Sequence, residues 1–340
     1  MAQHFLLSKA ARGKKIVLDI ARMSNDEAFN LLCETRWGED GTQCCPSCGV
    51  IKKHYFIKVR KQFRCAEKKC GHTFSVTSGT KFAYHKKSYQ DVLYAIALFA
   101  NAVEGIPALR SANNMGVGYK PVLLFQHKIR EALFQTRDLS PLDGEVEMDG
   151  CYFHYYVRPA NKRENRVDRR MSSNLNPNKR AVLVMRQRGK PEHGATRSIV
   201  NVIKKENERD VLALSKKYIK PGSTIYTDSH TCYTPLASDY ILKQVNHAEA
   251  YSSPEGVNEN QAESIFSRLR SLYSHIHKAD PKFLIYYANE IAWREDNRRQ
   301  SFYWQFLDIL KKCLQTGQSR LWAKYWQGNR VTEDCLFAAS

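Results

Sequence analysis

Apolar residues recur every three or four positions in the first part of the chain, the spacing of helices that bury one face. One such segment, "MSNDEAFNLLCETRW", places Ser24 and Glu27 at the spacing of a capping box. Another, from Ser88 to Glu104, carries its apolar residues at Val92, Leu93, Ile96, Ala97 and Phe99. Both segments therefore predict amphipathic helices packed against a core.

Two further helical runs, at about 107–113 and 120–134, flank the glycine-rich turn "NNMGVG". Two helices joined by a short turn, with cations on the second, indicate a helix-turn-helix unit. The pattern leaves open whether this unit reads DNA or bridges two domains. If it meets DNA, we expect contacts from the basic residues Lys120, Lys128 and Arg130 of the second run.

The pattern changes to strands after Ser140-Pro141. Residues that favour strands dominate "GEVEMDGCYFHYYV", "RAVLVMRQ" and "TRSIVNVI". A helix is predicted at "NERDVLALSKKYI", and Pro221-Gly222 ends it. Two more strands follow, at 223–227 and in "YILKQVNH", and another helix begins near Asn258. This order of elements predicts an α/β domain.

A basic stretch separates the first two of these strands. From Arg158 to Lys190 it carries eleven Lys or Arg and two acids, Glu164 and Asp168, with few large apolar residues. We therefore predict a flexible basic loop over 158–180. Its candidate contacts to DNA phosphates are Arg163, Arg166 and Arg169.

The charge of the whole chain points to a polyanionic partner. Its 340 residues include 53 basic and 34 acidic side chains, a formal net charge of +19. A globular chain this basic commonly binds nucleic acid, and no apolar run approaches the roughly 20 residues that span a bilayer. The first residues do not fit a secretory signal. We therefore expect a reducing, cytoplasmic location and no membrane partner.

Four of the ten cysteines form two closely spaced pairs, Cys45 with Cys48 and Cys65 with Cys70. In a reducing compartment this spacing favours a closed, structural zinc site with four thiolates. Cys44 and His72 remain alternative ligands.

The region around the cysteine pairs is basic and aromatic. Between Cys45 and Lys87 there are eleven Lys or Arg and one acid, Glu67, interleaved with Tyr55, Phe56, Phe63 and Phe74. This composition suits either a contact to the DNA backbone or a solvated basic face.

Three carboxylates occupy positions where an α/β domain places chemistry. Asp149 lies in the first strand, Asp228 ends the fourth, and Glu263 lies on the helix that follows the fifth. Brought together they would form a site of hard oxygen ligands, which suits Mg²⁺ or Mn²⁺ and phosphodiester chemistry. Each acid taken alone is more often a cap or a surface residue. Glu147 shares a strand face with Asp149, and His247 precedes the helix, so either is a possible auxiliary to the metal site.

These motifs resemble the DDE transposases of bacterial insertion sequences, of the kind with an N-terminal zinc ribbon and an RNase H-like catalytic core. The resemblance covers about Phe5 to Arg299 and rests on "CPSCG", "CGHTFSVTSGT", "EVEMDGCYF", "IYTDSHTCY" and "NENQAESIFSRLRS" in that order. It implies a catalytic triad of Asp149, Asp228 and Glu263 that holds Mg²⁺ or Mn²⁺. The basic residue seven positions after the glutamate, usually lysine in such enzymes, is here Arg270.

The resemblance implies an enzyme that cuts and joins DNA. We expect its partners to be double-stranded DNA, namely the element's terminal repeats and the target, and further copies of the chain as a dimer or larger assembly. A nucleoid-associated location follows. The alternative is a non-catalytic DNA-binding regulator derived from a transposase, and the presence of all three acids favours the enzyme. The chain lacks the phosphate-binding motif GxxxxGK[ST], so no reaction driven by a nucleoside triphosphate is implied.

We predict five segments along the chain. They are a helical leader at 1–40, a zinc ribbon at 41–80, a helix-turn-helix-like region at 81–140, an RNase H-like α/β domain at 141–300 with a mixed sheet flanked by helices, and a C-terminal helical segment at 301–340.

Overall fold

The computed structural model describes residues 17–168, 171, 174, 176, 178–189, 194–245, 260–276 and 279–328. Within these residues the chain forms two compact units. The first comprises 17–136 together with 297–328, and the second comprises 137–296. Among the described residues, no helix combines the length and the apolar character needed to cross a membrane.

The first unit contains five short strands and six helices of at least five residues among its described residues. The strands are β1 (Gln43–Cys44), β2 (Ile51–Lys52), β3 (Tyr55–Ile57), β4 (Gln62–Arg64) and β5 (Thr73–Ser75). The helices are α1 (Val17–Ala21), α2 (Asn25–Trp37), α3 (Tyr89–Asn101), α4 (Ala108–Met115), α5 (Tyr119–Gln135) and α9 (Phe302–Gln315), the last of which follows the second unit in the chain.

Local capping explains where two of these helices begin. Ser24 and Glu27 form the predicted capping box at the start of α2, with both reciprocal hydrogen bonds present. Ser88 and Asp91 form the same arrangement at the start of α3. The side chains therefore satisfy backbone N–H groups that have no partner within the helix.

An aromatic core joins helix α2 to the ribbon strands. Phe29 of the helix stacks on Phe63 of β4, with ring centroids 6.2 Å apart. Trp37, the last residue of the helix, meets Phe63 edge-on at 5.2 Å, and Phe74 of β5 stacks on Phe63 at 5.8 Å. These rings bury the apolar surface that strands of two or three residues cannot bury alone.

The C-terminal helix α9 belongs to the first unit and packs beside its other helices. The backbone N–H of Lys81 donates to the carbonyl of Cys313 in α9. The Lys81 ammonium forms a buried ion pair with Glu131 at 3.0 Å, and Glu131 also accepts a hydrogen bond from Ser319. The parts of the first unit that precede and follow the second unit in the chain are thus joined by one buried polar network.

The second unit is built on a five-stranded mixed sheet, which confirms the predicted α/β class. Its strands are β6 (Glu145–His154), β7 (Lys179–Arg188), β8 (Ala195–Ile203), β9 (Thr224–Asp228) and β10 (Ile241–Val245). Their order across the sheet is β10-β9-β6-β7-β8. Strands β6, β7 and β8 are antiparallel, while β9 is parallel to both β6 and β10.

Helices α6 (Glu208–Tyr218), α7 (Asn260–His275) and α8 (Pro281–Asp296) flank this sheet. The central strand β7 is buried over 181–186, which is why its sequence is a nearly continuous apolar run. The one charged member of that run, Arg186, is 1% exposed and donates to the carbonyl of Gln261 at the start of α7. Its other contacts include Ser198 Oγ at 3.0 Å and the Glu295 carboxylate at 3.7 Å. A buried polar network therefore fixes α7 and α8 against the sheet.

Candidate catalytic and metal sites

The four predicted cysteine ligands lie together in the ribbon. The sulfurs of Cys45, Cys48, Cys65 and Cys70 are all within 4.8 Å of one another. Cys45 and Cys70 are 3.9 Å apart, and Cys48 and Cys65 are 3.6 Å apart. A tetrahedral zinc site with sulfurs about 2.3 Å from the metal has sulfur–sulfur edges of about 3.8 Å. The cluster therefore has the dimensions of a closed zinc–thiolate site.

The alternative ligands lie outside this cluster. The Cys44 thiol faces the carbonyl of Gly49 at 3.6 Å. The side chain of His72 is exposed, while its carbonyl accepts the backbone N–H of Cys65. Gly49 and Gly71 follow the two knuckles and both have positive φ, a conformation that glycine adopts without strain.

Strand pairing places Asp149 and Asp228 at corresponding positions of neighbouring strands. Parallel strands β6 and β9 pair from Glu145 with Thr224 to Glu147 with Tyr226. The pairing ends there, and the same register continued by two residues would set Asp149 opposite Asp228. Residues in register on parallel strands point to the same face of the sheet, so the two carboxylates share a face.

Helix α7 brings Glu263 and Arg270 to the same region. A cleft of about 520 Å³ is lined by Asp149, Gly150, Cys151, Glu263, Ser264, Phe266, Ser267 and Arg270. Glu263 and Arg270 are exposed where α7 borders the cleft, whereas Phe266, which lies between them in the sequence, is buried. The helix thus presents one acid and one cation beside the strand that carries Asp149.

The carboxylates interact electrostatically at Asp149. The pKa of Asp149 is raised to about 7, chiefly by burial and in smaller part by the negative charges of Asp228, Glu206 and Glu263. The hydrogen bond from the backbone N–H of Gly150 acts in the opposite direction. All three other acids are therefore close enough to Asp149 to disfavour its charged form.

The donor set suits a hard divalent cation. Asp149 Oδ1 accepts the N–H of Gly150 at 2.6 Å, and Asp228 Oδ1 accepts the N–H of His230 at 3.0 Å. Among the described residues, the side chain of Glu263 takes part in no hydrogen bond, and none of the three acids takes part in an ion pair. Carboxylate oxygens of this kind are the ligands that Mg²⁺ and Mn²⁺ prefer. Within the described part of the chain, however, only the cysteine cluster brings three or more ligand atoms within 4.8 Å of one another.

Glu147, predicted as a possible auxiliary to the metal site, instead contacts the start of α7 and Arg188. It is 0% exposed, and both of its oxygens are engaged. Its Oε2 accepts the backbone N–H groups of Gln261 and Ala262 at 3.0 and 3.1 Å, and its Oε1 accepts Arg188 Nε at 2.8 Å. Glu147 therefore caps the helix that carries Glu263.

Arg270 lies against the edge of the cleft, with Nη2 2.8 Å from the sulfur of Cys151. Burial raises the pKa of Cys151, and it raises the pKa of Cys232 to about 12. Both thiols are buried, and their raised pKa values disfavour the thiolate form that a cysteine nucleophile requires.

Sequence reasoning missed Glu206, which lies between β8 and α6 in the charged run "KKENERD". Its carboxylate occupies the space where a side chain at position 150 would lie. The hydroxyl of Tyr233 donates to its Oε1 at 2.6 Å. Nothing in the local sequence distinguishes this glutamate from its charged neighbours, and only the fold brings it to Gly150.

The three predicted DNA contacts of the helical region differ in how exposed their side chains are. Helices α4 and α5 form the predicted hairpin, and Gly116 ends α4 with a positive φ of 62°. Lys120 is exposed, and its ammonium lies 5.0 Å from the centre of the Trp326 ring. Arg130 is 1% exposed and lies over Phe99, so burial removes it from the candidate DNA contacts. Lys128 is half-buried, and burial lowers its pKa.

The described part of the basic loop keeps two of its candidate arginines at the surface. Both are exposed: Arg163 is the first residue of a short 3₁₀ turn, Arg163–Asn165, and Arg166 directly follows that turn. Arg166 donates to the carbonyls of Ala160 and Asn161. Arg169 and His247 lie outside the described residues.

Two known protein families match separate parts of the chain. The transposase zinc-ribbon domain matches residues 23–73, and the ISXO2-like transposase domain matches residues 141–296. The first match contains all four clustered cysteines, and the second contains Asp149, Asp228 and Glu263. No curated protein matches the chain. The chain belongs to the insertion-sequence transposases that carry an N-terminal zinc ribbon ahead of a DDE transposase domain.

Proposed function

We propose that this transposase cuts DNA at the ends of its insertion sequence and joins those ends to target DNA. In this proposal Asp149, Asp228 and Glu263 hold Mg²⁺ or Mn²⁺. The observation that most supports it is that acids from two other elements act on Asp149. After burial, the charges of Asp228 in β9 and Glu263 in α7 disfavour the charged form of this residue. A cation between these carboxylates would relieve that repulsion.

The chemistry that such ions supply is activation of an oxygen nucleophile and stabilisation of the leaving oxygen of a phosphodiester. In the first step, water attacks phosphorus, one P–O bond forms and another breaks, and the element end leaves with a 3′-hydroxyl. In the second step, this hydroxyl attacks a target phosphodiester and releases a target 3′-hydroxyl. The two steps need no external energy source, because each exchanges one P–O bond for another.

The protein's own side chains position the DNA for these steps. Arg270 lines the cleft beside Glu263, and its guanidinium suits two parallel hydrogen bonds to a phosphate. The exposed Lys120, Arg163 and Arg166 are candidates for contacts to the DNA backbone away from the reacting phosphate. Because an element has two ends, we propose that at least two copies of the chain act together on DNA.

Structural zinc in the ribbon is part of the proposal. Four sulfurs within 4.8 Å of one another would complete a tetrahedral zinc shell and leave no open position for a substrate. The metal would therefore hold together strands too short to be stable alone, and it would take no part in the chemistry.

A cleavage assay tests the enzymatic proposal. A labelled duplex that carries one end of the element would be incubated with the protein and Mg²⁺ or Mn²⁺, and release of the 3′-hydroxyl would be measured. We expect Asp149→Asn and Glu263→Gln to lose cleavage by at least about a hundredfold while still binding the duplex.

The matched control is Asp143→Asn, which alters an exposed carboxylate of the same unit whose contacts among the described residues are the backbone N–H of Gly144 and the ammonium of the surface residue Lys220. It should cleave like the wild type. Cleavage at the wild-type rate by Asp149→Asn would overturn the proposed role of the carboxylates, and binding of the duplex without cleavage by the wild type would leave a DNA-binding regulator in place of the enzyme.

A further inference from the structure

We infer that Glu206 is a fourth carboxylate of the candidate active site and binds the divalent cation together with Asp149, Asp228 and Glu263. The inference rests on the proposed function, since it adds a ligand to the metal site that the function requires.

The first observation is the space above Gly150. A Cβ atom built on Gly150 would overlap the Glu206 carboxyl group and lie 2.9 Å from its Cγ. The glycine next to Asp149 thus admits a carboxylate from another part of the chain. Gly150 directly follows Asp149 in β6, and although positions 149 and 150 point to opposite faces of the strand, Glu206 is close enough for its charge to act on Asp149.

The second observation is that Glu206 is held in a fixed orientation. The hydroxyl of Tyr233, a 0% exposed residue, donates to Oε1 at 2.6 Å. The backbone N–H of Glu206 donates to the hydroxyl of Tyr152 at 3.1 Å. Among the described residues, Oε2 accepts no hydrogen bond. One oxygen is therefore anchored by the protein, and the other is available to a ligand.

The third observation is the balance of charge. The negative charge of Glu206 acts on Asp149, Cys151 and Cys232, so it is felt throughout this region. Within the described part of the chain, Asp149, Glu206, Asp228 and Glu263 form no ion pair with a lysine, arginine or histidine. The chain nevertheless carries a net charge of +19. Four carboxylates left without a protein counter-charge favour a cation as their common partner.

The test measures Mn²⁺ binding to the full-length, zinc-loaded protein without DNA, by the electron paramagnetic resonance signal of free Mn²⁺. Glu206→Gln keeps the oxygen that accepts the Tyr233 hydroxyl and removes one ligand charge. We expect it to weaken Mn²⁺ binding about tenfold or more. Tyr233→Phe keeps the carboxylate but frees it to rotate, and we expect a smaller weakening, about threefold.

Glu208→Gln is the matched control, because Glu208 is an exposed glutamate in the first turn of α6, two residues further along. It should bind Mn²⁺ like the wild type, and thermal unfolding of each variant checks that the unit is folded. Wild-type Mn²⁺ affinity in Glu206→Gln, with loss of binding in Asp149→Asn, would overturn this inference alone. Equal binding by the wild type and Asp149→Asn would instead refute the metal site of the proposed function, and this inference with it.

Discussion

Glu147 caps the helix that carries Glu263, since its Oε2 accepts the backbone N–H of Ala262 at 3.1 Å. The adjacent N–H of Gln261 donates to the same oxygen at 3.0 Å. A buried carboxylate at the N-terminus of a helix also meets the positive end of the helix dipole. Glu147 therefore fixes the first turn of α7, the turn that carries Glu263, although it is not among the residues that line the cleft.

We predict that Glu147→Gln loosens the first turn of α7. The amide group replaces a charged acceptor with a neutral one and weakens the contact to Arg188, at a cost of about 1–3 kcal/mol in the free energy of unfolding. Hydrogen exchange at the amides of Gln261 and Ala262 should become at least about tenfold faster.

Glu145→Gln is the control for this change. Glu145 is an exposed residue that also pairs with Arg188, at 3.6 Å, but its side chain forms no hydrogen bond or ion pair with α7 among the described residues. It should leave exchange in α7 unchanged. Equal exchange rates in Glu147→Gln and the wild type would show that the cap does not hold the helix.

The zinc site predicts different outcomes for two neighbouring cysteines. Cys48→Ser removes one of the four clustered sulfurs, so we expect the bound zinc to fall well below one ion per chain and the ribbon to unfold. Cys44→Ser changes a thiol outside the cluster and should keep a full complement of zinc. Metal analysis of both purified proteins decides the matter, and unchanged zinc in Cys48→Ser would refute the ligand set.

The exposed arginines of the basic loop predict a change in the salt dependence of DNA binding. Replacing both Arg163 and Arg166 by alanine should reduce the slope of log affinity against log salt by up to about 2, because each phosphate contact contributes about 0.9. The control Lys216→Ala removes an exposed cation of α6 that pairs with Asp239. It should leave the slope unchanged. An unchanged slope in the double variant, measured by fluorescence anisotropy, would mean that this loop does not meet phosphates.

Acid should destabilise the first unit through His127. This histidine is 3% exposed and stacks on Trp322, with ring centroids 4.1 Å apart. Burial lowers its pKa well below the ordinary value, and the charge of Arg130 lowers it further. Below about pH 6.5 the unfolded chain therefore binds a proton that the folded chain does not, and stability falls by up to about 1.4 kcal/mol per pH unit.

His127→Phe keeps a ring against Trp322 but removes the titrating group. Denaturant unfolding of the wild type and the variant between pH 7.5 and 5, followed by the signal of the first unit, should show a smaller loss of stability in the variant. Parallel pH profiles for the two proteins would contradict this assignment.

Local pattern predicted much of the fold, because most elements bury one face. The apolar run of β7 and the capping box at Ser24 are visible in the sequence and appear in the structure. The cysteine spacing likewise predicts the cluster. The pattern of apolar and polar residues could not predict which charged side chains are buried. Arg130 looked like a surface cation, yet its helix turns it onto Phe99.

The site shows the same limit. Glu147 and Asp149 share a strand face, but only the position of α7 makes the first a helix cap and leaves the second at the cleft. Glu206 is invisible to motif reasoning, because its approach to Gly150 depends on the connection between β8 and α6. Asp228 ends its strand in a turn, where its Oδ1 accepts the N–H of His230, and its charge adds to the burial that raises the pKa of Asp149, so a turn residue can still act on the candidate site.

Strand transfer by Asp228→Asn is the most direct test of the account. Asparagine keeps the oxygen that accepts the N–H of His230, so the turn and the fold should survive, while one ligand charge is lost. The measurement is the joining of a labelled element end with a 3′-hydroxyl to target DNA, in Mg²⁺ and in Mn²⁺. We predict that the variant binds the element end like the wild type but joins it at least about a hundredfold more slowly. Joining at the wild-type rate by folded Asp228→Asn would contradict the catalytic role of these carboxylates.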